Sequence, residues 1–310
     1  MLLDRLYGPS LANNLEGDDP ERDVYVYLPA GYHANETRRY PVIYFLHGYT
    51  ATAERYVAML QLPGAADQAI ADGANETIIV LPDAHTVYGG SMYSNSATVG
   101  DWETFIAQTL VNYIDTNYRT LAQPQSRGLG GHSMGGYGTL RIAMKRPGVF
   151  SALYVMSPCC LDFEAPGPEQ VQEQIARMAA GPLTGPEFLN ALQAQAAAWA
   201  PNPQNPPYYF DWPYKDGVVQ PVVQGKWRAN APMVFVDQYV PVMKEHTAIM
   251  LDVGDQDPVA GSGIVQQFDQ SLTRLGINHV FEIYEGDHGN RVPSRFVEKV
   301  IPFFSEHLEH

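Results

Sequence analysis

The stretch GLGGHSMGGYG, Gly128 to Gly138, gives six of its eleven positions to glycine around one serine, Ser133. Glycine reaches φ > 0 and lets two backbones approach closely, at an entropic cost. A flexible loop and a tight turn that holds the serine in a strained position both use such residues, and the flanks separate the two. Upstream, Ser126-Arg127-Gly128-Leu129 is short and partly apolar, as a buried strand is. Downstream, Thr139 to Arg146 carries apolar residues at helical spacing and stops at Pro147-Gly148. Between them, Gly131-His132-Ser133-Met134-Gly135 fits G-x-S-x-G, the strained strand-to-helix turn that exposes a serine Oγ. A dinucleotide loop fits less well: Gly128-x-Gly130-x-x is followed by Ser133 rather than glycine, no βαβ unit opens the chain, and G-x-x-x-x-G-K-[ST] is absent.

Outward from this turn the chain alternates. Strands are predicted at 23–28, 41–47, 77–81, 152–156, 248–253 and 280–284. The first reads as half exposed near a sheet edge, and the continuous apolar runs read as buried parallel strands. Helices are predicted at about 53–61, 64–72, 101–117, 135–146, 262–275 and 291–308. The alternation implies an α/β fold in a single domain over 1–310, a mostly parallel sheet with helices on both faces. From about Leu161 to Glu245 the rhythm is lost. This Ala-, Gln- and Pro-rich segment, with aromatics between Pro207 and Tyr214, reads as a cap-like insertion of helices and loops that shapes a pocket or packs only on itself.

Composition bounds the function. The chain has 310 residues, 45% hydrophobic, with a formal net charge of −15. That charge argues against nucleic acid and anionic surfaces as partners. No stretch reaches the length of a membrane span, and the N-terminus shows no apolar signal-peptide core, so a cytoplasmic location is expected. The two cysteines, Cys159 and Cys160, are adjacent. A disulfide between neighbours is strained, so both read as buried thiols. The terminal Leu308-Glu309-His310 is a native helix end or the start of a tag, and no function is built on His310.

A serine needs a base to take its proton, usually a histidine oriented by a carboxylate. With a G-x-S-x-G elbow the chain order is Ser, Asp or Glu, His. Past residue 253 the histidines are His279, His288, His307 and His310. His279 leads into a strand and reads as structural, and the last two lie at the terminus. His288 sits in the polar loop Glu285-Gly286-Asp287-His288-Gly289-Asn290 after the last strand, where loops of parallel strands form sites. The acid is sought after the preceding strand, in Asp252-Val253-Gly254-Asp255-Gln256-Asp257. Asp257 is favoured because Gly254 lets the chain turn first; Asp255 remains a candidate, and Asp252 lies within the strand. A calcium loop is the rival for three close aspartates, but the EF-hand spacing is absent. The oxyanion donors are expected at the backbone N–H groups of Met134, after the nucleophile, and Tyr49, in His47-Gly48-Tyr49. His47 itself reads as a structural loop residue. With no H-x-x-x-H, C-x-x-C or H-E-x-x-H, no catalytic metal is expected.

With these residues placed, the chain resembles the esterase D-like family of α/β-hydrolases, which includes S-formylglutathione hydrolases, feruloyl esterases and mycolyltransferases. The matching pieces are Tyr27-Leu28-Pro29-Ala30-Gly31-Tyr32, Leu46-His47-Gly48-Tyr49, Gly100-Asp101-Trp102-Glu103-Thr104-Phe105, Gly130 to Gly138, Met156-Ser157-Pro158 and Gly286-Asp287-His288. The resemblance implies a serine carboxylesterase that works through an acyl-enzyme on a small-molecule ester, short acyl groups foremost, with no cofactor. A thioesterase, an aryl or feruloyl esterase and an acyltransferase share the machinery. A non-catalytic binding scaffold need not keep every member of the triad, and none is missing here. The 161–245 segment carries no motif of the family, and the oligomeric state stays open, a homo-oligomer included.

Overall fold

The apolar runs of the sequence form the centre of one eight-stranded sheet in the computed structural model, which describes residues 1–162, 166–179 and 190–310. The strands are β1 (Leu2–Tyr7), β2 (Glu21–Tyr27), β3 (Val42–Leu46), β4 (Ile78–Pro82), β5 (Arg127–His132), β6 (Ala152–Met156), β7 (Ala248–Gly254) and β8 (Val280–Tyr284). Their order is β1-β2-β4-β3-β5-β6-β7-β8. The β1–β2 and β2–β4 pairs are antiparallel and the other five parallel.

Every residue of β3, β4, β5 and β6 is buried, because helices cover both faces. The helices are α1 (Ala53–Leu60), α2 (Leu62–Ala71), α3 (102–117, with a π-helical stretch at Phe105–Leu110), α4 (Met134–Lys145), α5 (Pro168–Ala179), α6 (Ala191–Trp199), α7 (Pro221–Arg228), α8 (Ser262–Arg274) and α9 (292–307, π-helical at Phe296–Val300). The period-2 geometry of β3 sends Val42, Tyr44 and Leu46 into one core with α3, α4 and α8, and Ile43 and Phe45 into a second core with α1, α2 and α9.

β1 was not anticipated. Only Leu6 of Leu2–Tyr7 is buried, so the segment has no burial periodicity and is held by its backbone ladder to β2. With β1 outside it, β2 lies one strand in from the sheet edge and is half exposed, as expected: Val24, Val26 and Tyr27 are covered while Asp23 and Tyr25 are partly exposed. Of the two readings of the aromatic run 207–214, a pocket wall or packing on itself, the second fits better. Phe210 packs on Tyr88, Tyr208 and Trp212 with ring centroids 5.3–6.2 Å apart. Among the described residues no helix is long and apolar enough to cross a membrane.

The register aligns the C-terminal ends of the parallel strands. Leu46 pairs with Gly131, His132 with Met156, Asp252 with Met156 and Gly254 with Tyr284. The loops that begin at His47, Ser133, Ser157, Asp255 and Glu285 therefore emerge along one edge. The strand order reverses between β3 and β5, where such sheets leave a crevice for ligands.

Candidate active site

Ser133 sits between the end of β5 and the start of α4 with φ 60° and ψ −117°, a conformation that costs a side-chain-bearing residue of order 1–3 kcal/mol. Its surroundings hold it there. Its N–H donates to the Met156 carbonyl at 3.0 Å, and its own carbonyl accepts from Tyr137 at 3.0 Å and Cys159 at 3.3 Å. The flanking glycines answer to close approach. A Cβ on Gly131 would collide with the backbone of Gly135, and one on Gly135 with the carbonyl of Leu46. The turn is thus folded tightly on itself and onto the end of β3.

His288 Nε2 lies 2.9 Å from Ser133 Oγ, and His288 Nδ1 lies 2.8 Å from Asp257 Oδ2. A carboxylate only accepts, so Nδ1 carries the proton and Nε2 presents its lone pair to the serine hydroxyl. The Asp257 side chain is fully buried, whereas His288 keeps 22% exposure. Burial alone pushes the Asp257 carboxyl up, but His288 and the N–H groups of Ala260 and Val259 outweigh it and hold the group below the usual carboxylate range. Those N–H groups donate to Asp257 Oδ1 at 2.9 and 2.8 Å.

The three clustered aspartates have three different partners. Asp255 Oδ1 accepts from the Gly286 N–H at 2.9 Å, tying the loop after β7 to the one that carries His288. Asp252 points into the core, where Oδ2 is met by Arg295 at 2.7 and 2.9 Å and by the Tyr154 hydroxyl at 2.8 Å. Asp257 alone of the three reaches His288. Gly254 lies so close to the Gly286 carbonyl that a Cβ would overlap it, which draws the two loops together.

Met134 opens α4, so its N–H has no intrahelical acceptor and lies at the positive end of the helix. Tyr49 follows Gly48, and a Cβ on Gly48 would come within 3.3 Å of Ser133 Cβ. His47 braces this loop: its Nε2 accepts from Ala84 N–H at 2.8 Å, leaving Nδ1–H to hold the Gly48 carbonyl at 2.9 Å. In a trans peptide the N–H of Tyr49 is thereby fixed on the side opposite that carbonyl. His279 is engaged elsewhere, by Asp269 and the Ile277 carbonyl at 2.8 Å each, and His310 by the Ser305 carbonyl.

Two residues escaped the sequence reading. His132, next to the serine, is buried, and its Nε2 lies 2.7 Å from the backbone carbonyl of His288. A carbonyl only accepts, so Nε2 is protonated and Nδ1 accepts from the Tyr56 hydroxyl at 2.6 Å. Burial first, and the neighbouring His288 second, push the His132 imidazole down to about 3, keeping it neutral. The only signal in the sequence is the position of His132 inside the elbow; Tyr56 comes from α1, 76 residues earlier.

Ser133 opens into a cavity of about 420 Å³, lined also by Tyr49, Met92, Cys159, Cys160 and Val259. From the 161–245 segment, α6 presents Leu192, Gln195 and Trp199 to it, and α7 presents Trp227. The aromatics of 207–214 are not in this wall. The segment is anchored to α4 through Arg141, which is buried, pairs with Glu103 at 2.8 Å and donates to Asn230 Oδ1 at 2.6 Å. Among the described residues no group of three or more His, Cys, Asp or Glu side chains gathers as a metal site.

Comparison with known proteins gives concordant results. The family model Esterase, described as "Putative esterase", matches residues 18–299. An esterase of Mycobacterium tuberculosis is 33% identical over 130 residues, 42% of this chain and 27% of that protein. The S-formylglutathione hydrolase of Bos taurus is 27% identical over 154 residues, 44% of this chain and 51% of that protein. The matches thus span from about a quarter to half the length of these relatives. A solved ferulic acid esterase superposes with a TM-score of 0.69 at 21% identity, over 99% of this chain and 98% of that one. At that identity the likeness is one of fold.

Proposed function

This chain belongs to the Esterase family and has the α/β-hydrolase fold, and from that premise we propose that it hydrolyses carboxylic esters of small molecules through an acyl-enzyme. One observation carries this function: Ser133, His288 and Asp257 form an unbroken hydrogen-bonded chain that opens into a cavity. Ser133 Oγ attacks the ester carbonyl as His288 Nε2 takes its proton. The Asp257 carboxylate, held ionised, stabilises the imidazolium. The oxyanion is received by the N–H groups of Met134 and Tyr49. His288 then returns the proton to the departing alkoxide, and the alcohol leaves. A water, deprotonated by His288, repeats the attack on the acyl-serine, and the acid is released with Ser133 restored.

His132 and Tyr56 act as positioning residues in this scheme, fixing the backbone of His288 against the elbow. The 161–245 segment acts as a cap, its α6 and α7 faces bounding the space for substrate.

The test is hydrolysis of p-nitrophenyl acetate, butyrate and octanoate by the wild type beside Ser133→Ala. The variant is expected to lose activity by about 10⁴-fold or more, and the chain-length trend sizes the acyl site. Wild-type inactivity on all three would overturn the ester reading. The likeness to an S-formylglutathione hydrolase favours a second reading with the same residues and a thiolate leaving group. Rates on a matched ester and thioester separate the two.

A further inference from the structure

Cys159 and Cys160 follow β6, and both face the cavity that holds Ser133. Both cysteines are free, and each residue is half-buried. They lie side by side, the Cys160 sulfur against the Cys159 sulfur. The arrangement is held by its surroundings. The Cys159 N–H donates to the Ser133 carbonyl at 3.3 Å, one hydrogen bond from the nucleophile. Cys160 adopts φ 62°, a left-handed conformation uncommon outside glycine, asparagine and aspartate. From α6, Gln195 Nε2 donates to Cys160 Sγ at 3.4 Å.

We infer that this vicinal pair is a two-thiol binding site in the wall of the catalytic cavity, that it takes trivalent organoarsenicals as a chelate, and that its occupation blocks access to Ser133. Denticity selects the class. Two sulfurs are too few for a tetrahedral structural metal site, which needs four ligands, and no third His, Cys, Asp or Glu gathers with them among the described residues. A linear two-coordinate ion needs its sulfurs on opposite sides, whereas these lie together. A pyramidal arsenic that keeps one organic substituent needs only two adjacent sulfurs. The step is a condensation without redox change: R–As=O and two S–H groups give R–As(S)₂ and water. Both thiol protons leave with the oxygen, two As–S bonds form, and arsenic stays trivalent. The neighbouring Cys160 first, and burial second, push the Cys159 thiol well up, which disfavours its reaction with single-thiol alkylating reagents. Two-point capture gains from the paired geometry instead.

The loss of activity rests on the serine-esterase function proposed above; the capture itself does not, so the test reads them separately. Phenylarsine oxide is added to the wild type, Ser133→Ala, Cys159→Ser and Cys160→Ser, and intact mass is measured beside hydrolysis of p-nitrophenyl butyrate. One phenylarsenic per chain is expected on the wild type and on Ser133→Ala, and none on either cysteine variant. Wild-type activity should fall in proportion to the adduct. It should return with 2,3-dimercaptopropanol but not with a monothiol at equal thiol concentration, each variant being compared with its own untreated rate. An adduct that persists in both cysteine variants, no adduct on the wild type, or an adduct that leaves wild-type hydrolysis intact overturns the inference.

Discussion

Substitution of His132 separates a positioning role from simple filling of space. Its Nε2–H holds the His288 carbonyl at 2.7 Å and its Nδ1 receives the Tyr56 hydroxyl at 2.6 Å. Leucine there strands two buried polar groups at about 1–3 kcal/mol each, so His132→Leu is expected to lose about 2–6 kcal/mol of stability. His288 then loses its backbone tether, and a displacement of about 1 Å at a catalytic group costs about 10²-fold. The kcat per titrated active site should fall by about that factor with KM little changed. His132→Gln keeps an N–H donor of similar reach and should recover much of the loss.

The same pair of proteins carries a pH signature. His132 is pushed from the ordinary 6.5 down to about 3 in the folded chain. Below about 6.5 the unfolded chain binds a proton here that the folded chain refuses until about 3, so stability falls with pH across that window. At pH 4.5, about two units below the unfolded value, the penalty is about 3 kcal/mol. Glutamine has no such group. Unfolding free energies from urea titrations at pH 7 and pH 4.5 should therefore shift by about 3 kcal/mol in favour of His132→Gln on acidification. The depressed Asp257 contributes stability that is lost only as pH falls below the unfolded carboxylate range, and it is present in both proteins. A wild-type-minus-variant difference that stays constant between the two pH values refutes a neutral, buried His132. Wild-type kcat in His132→Leu refutes the positioning role.

Other substitutions probe the rest of the site. Asp257→Asn should lower kcat by about 10⁴-fold through the wrong His288 tautomer. Asp255→Asn, at a carboxylate that accepts from the Gly286 N–H, should lower it far less in the same steady-state assay; the reverse order would reassign the acid. Gly135→Ala drives a Cβ into the Leu46 carbonyl, and the urea midpoint should report a loss of about 1–3 kcal/mol or more. Arg295→Met leaves the Asp252 carboxylate buried beside Tyr154 alone. It should cost about 3–5 kcal/mol in urea unfolding, part of which Asp252→Asn in the same chain restores by removing the stranded charge.

The parallel core was legible because its strands are buried on both faces and so read as continuous apolar runs: Val42–Leu46, Ile78–Pro82 and Ala152–Met156 need no partner to be recognised. The elbow was legible because a strained turn packed against β3 excludes side chains, and that exclusion is written as glycine. β1 was not, since five of its six residues escape full burial and its stability is in the ladder to β2. Composition left the aromatics of 207–214 between a pocket wall and packing on themselves; Tyr208, Phe210 and Trp212 pack on one another, with Phe210 on Tyr88, while Trp199 and Trp227 line the cavity.

By itself, the sequence determined the local chemistry of this protein: which serine stands on a turn, which loops carry a histidine and an acid, and that strand and helix alternate. These follow from backbone sterics and hydrophobic periodicity, which act over a few residues. Only the tertiary structure decided what depends on register between distant strands. The alignment of β5, β7 and β8 brings Ser133, Asp257 and His288 into one hydrogen-bonded chain and assigns Asp252 to Arg295. It sets His132 and Tyr56 beside the His288 loop and brings two neighbouring cysteines into the wall of the Ser133 cavity. Directional hydrogen bonds between segments 31 to 156 residues apart leave no periodic trace in the chain, so that part of the site exists only once the sheet has closed its register.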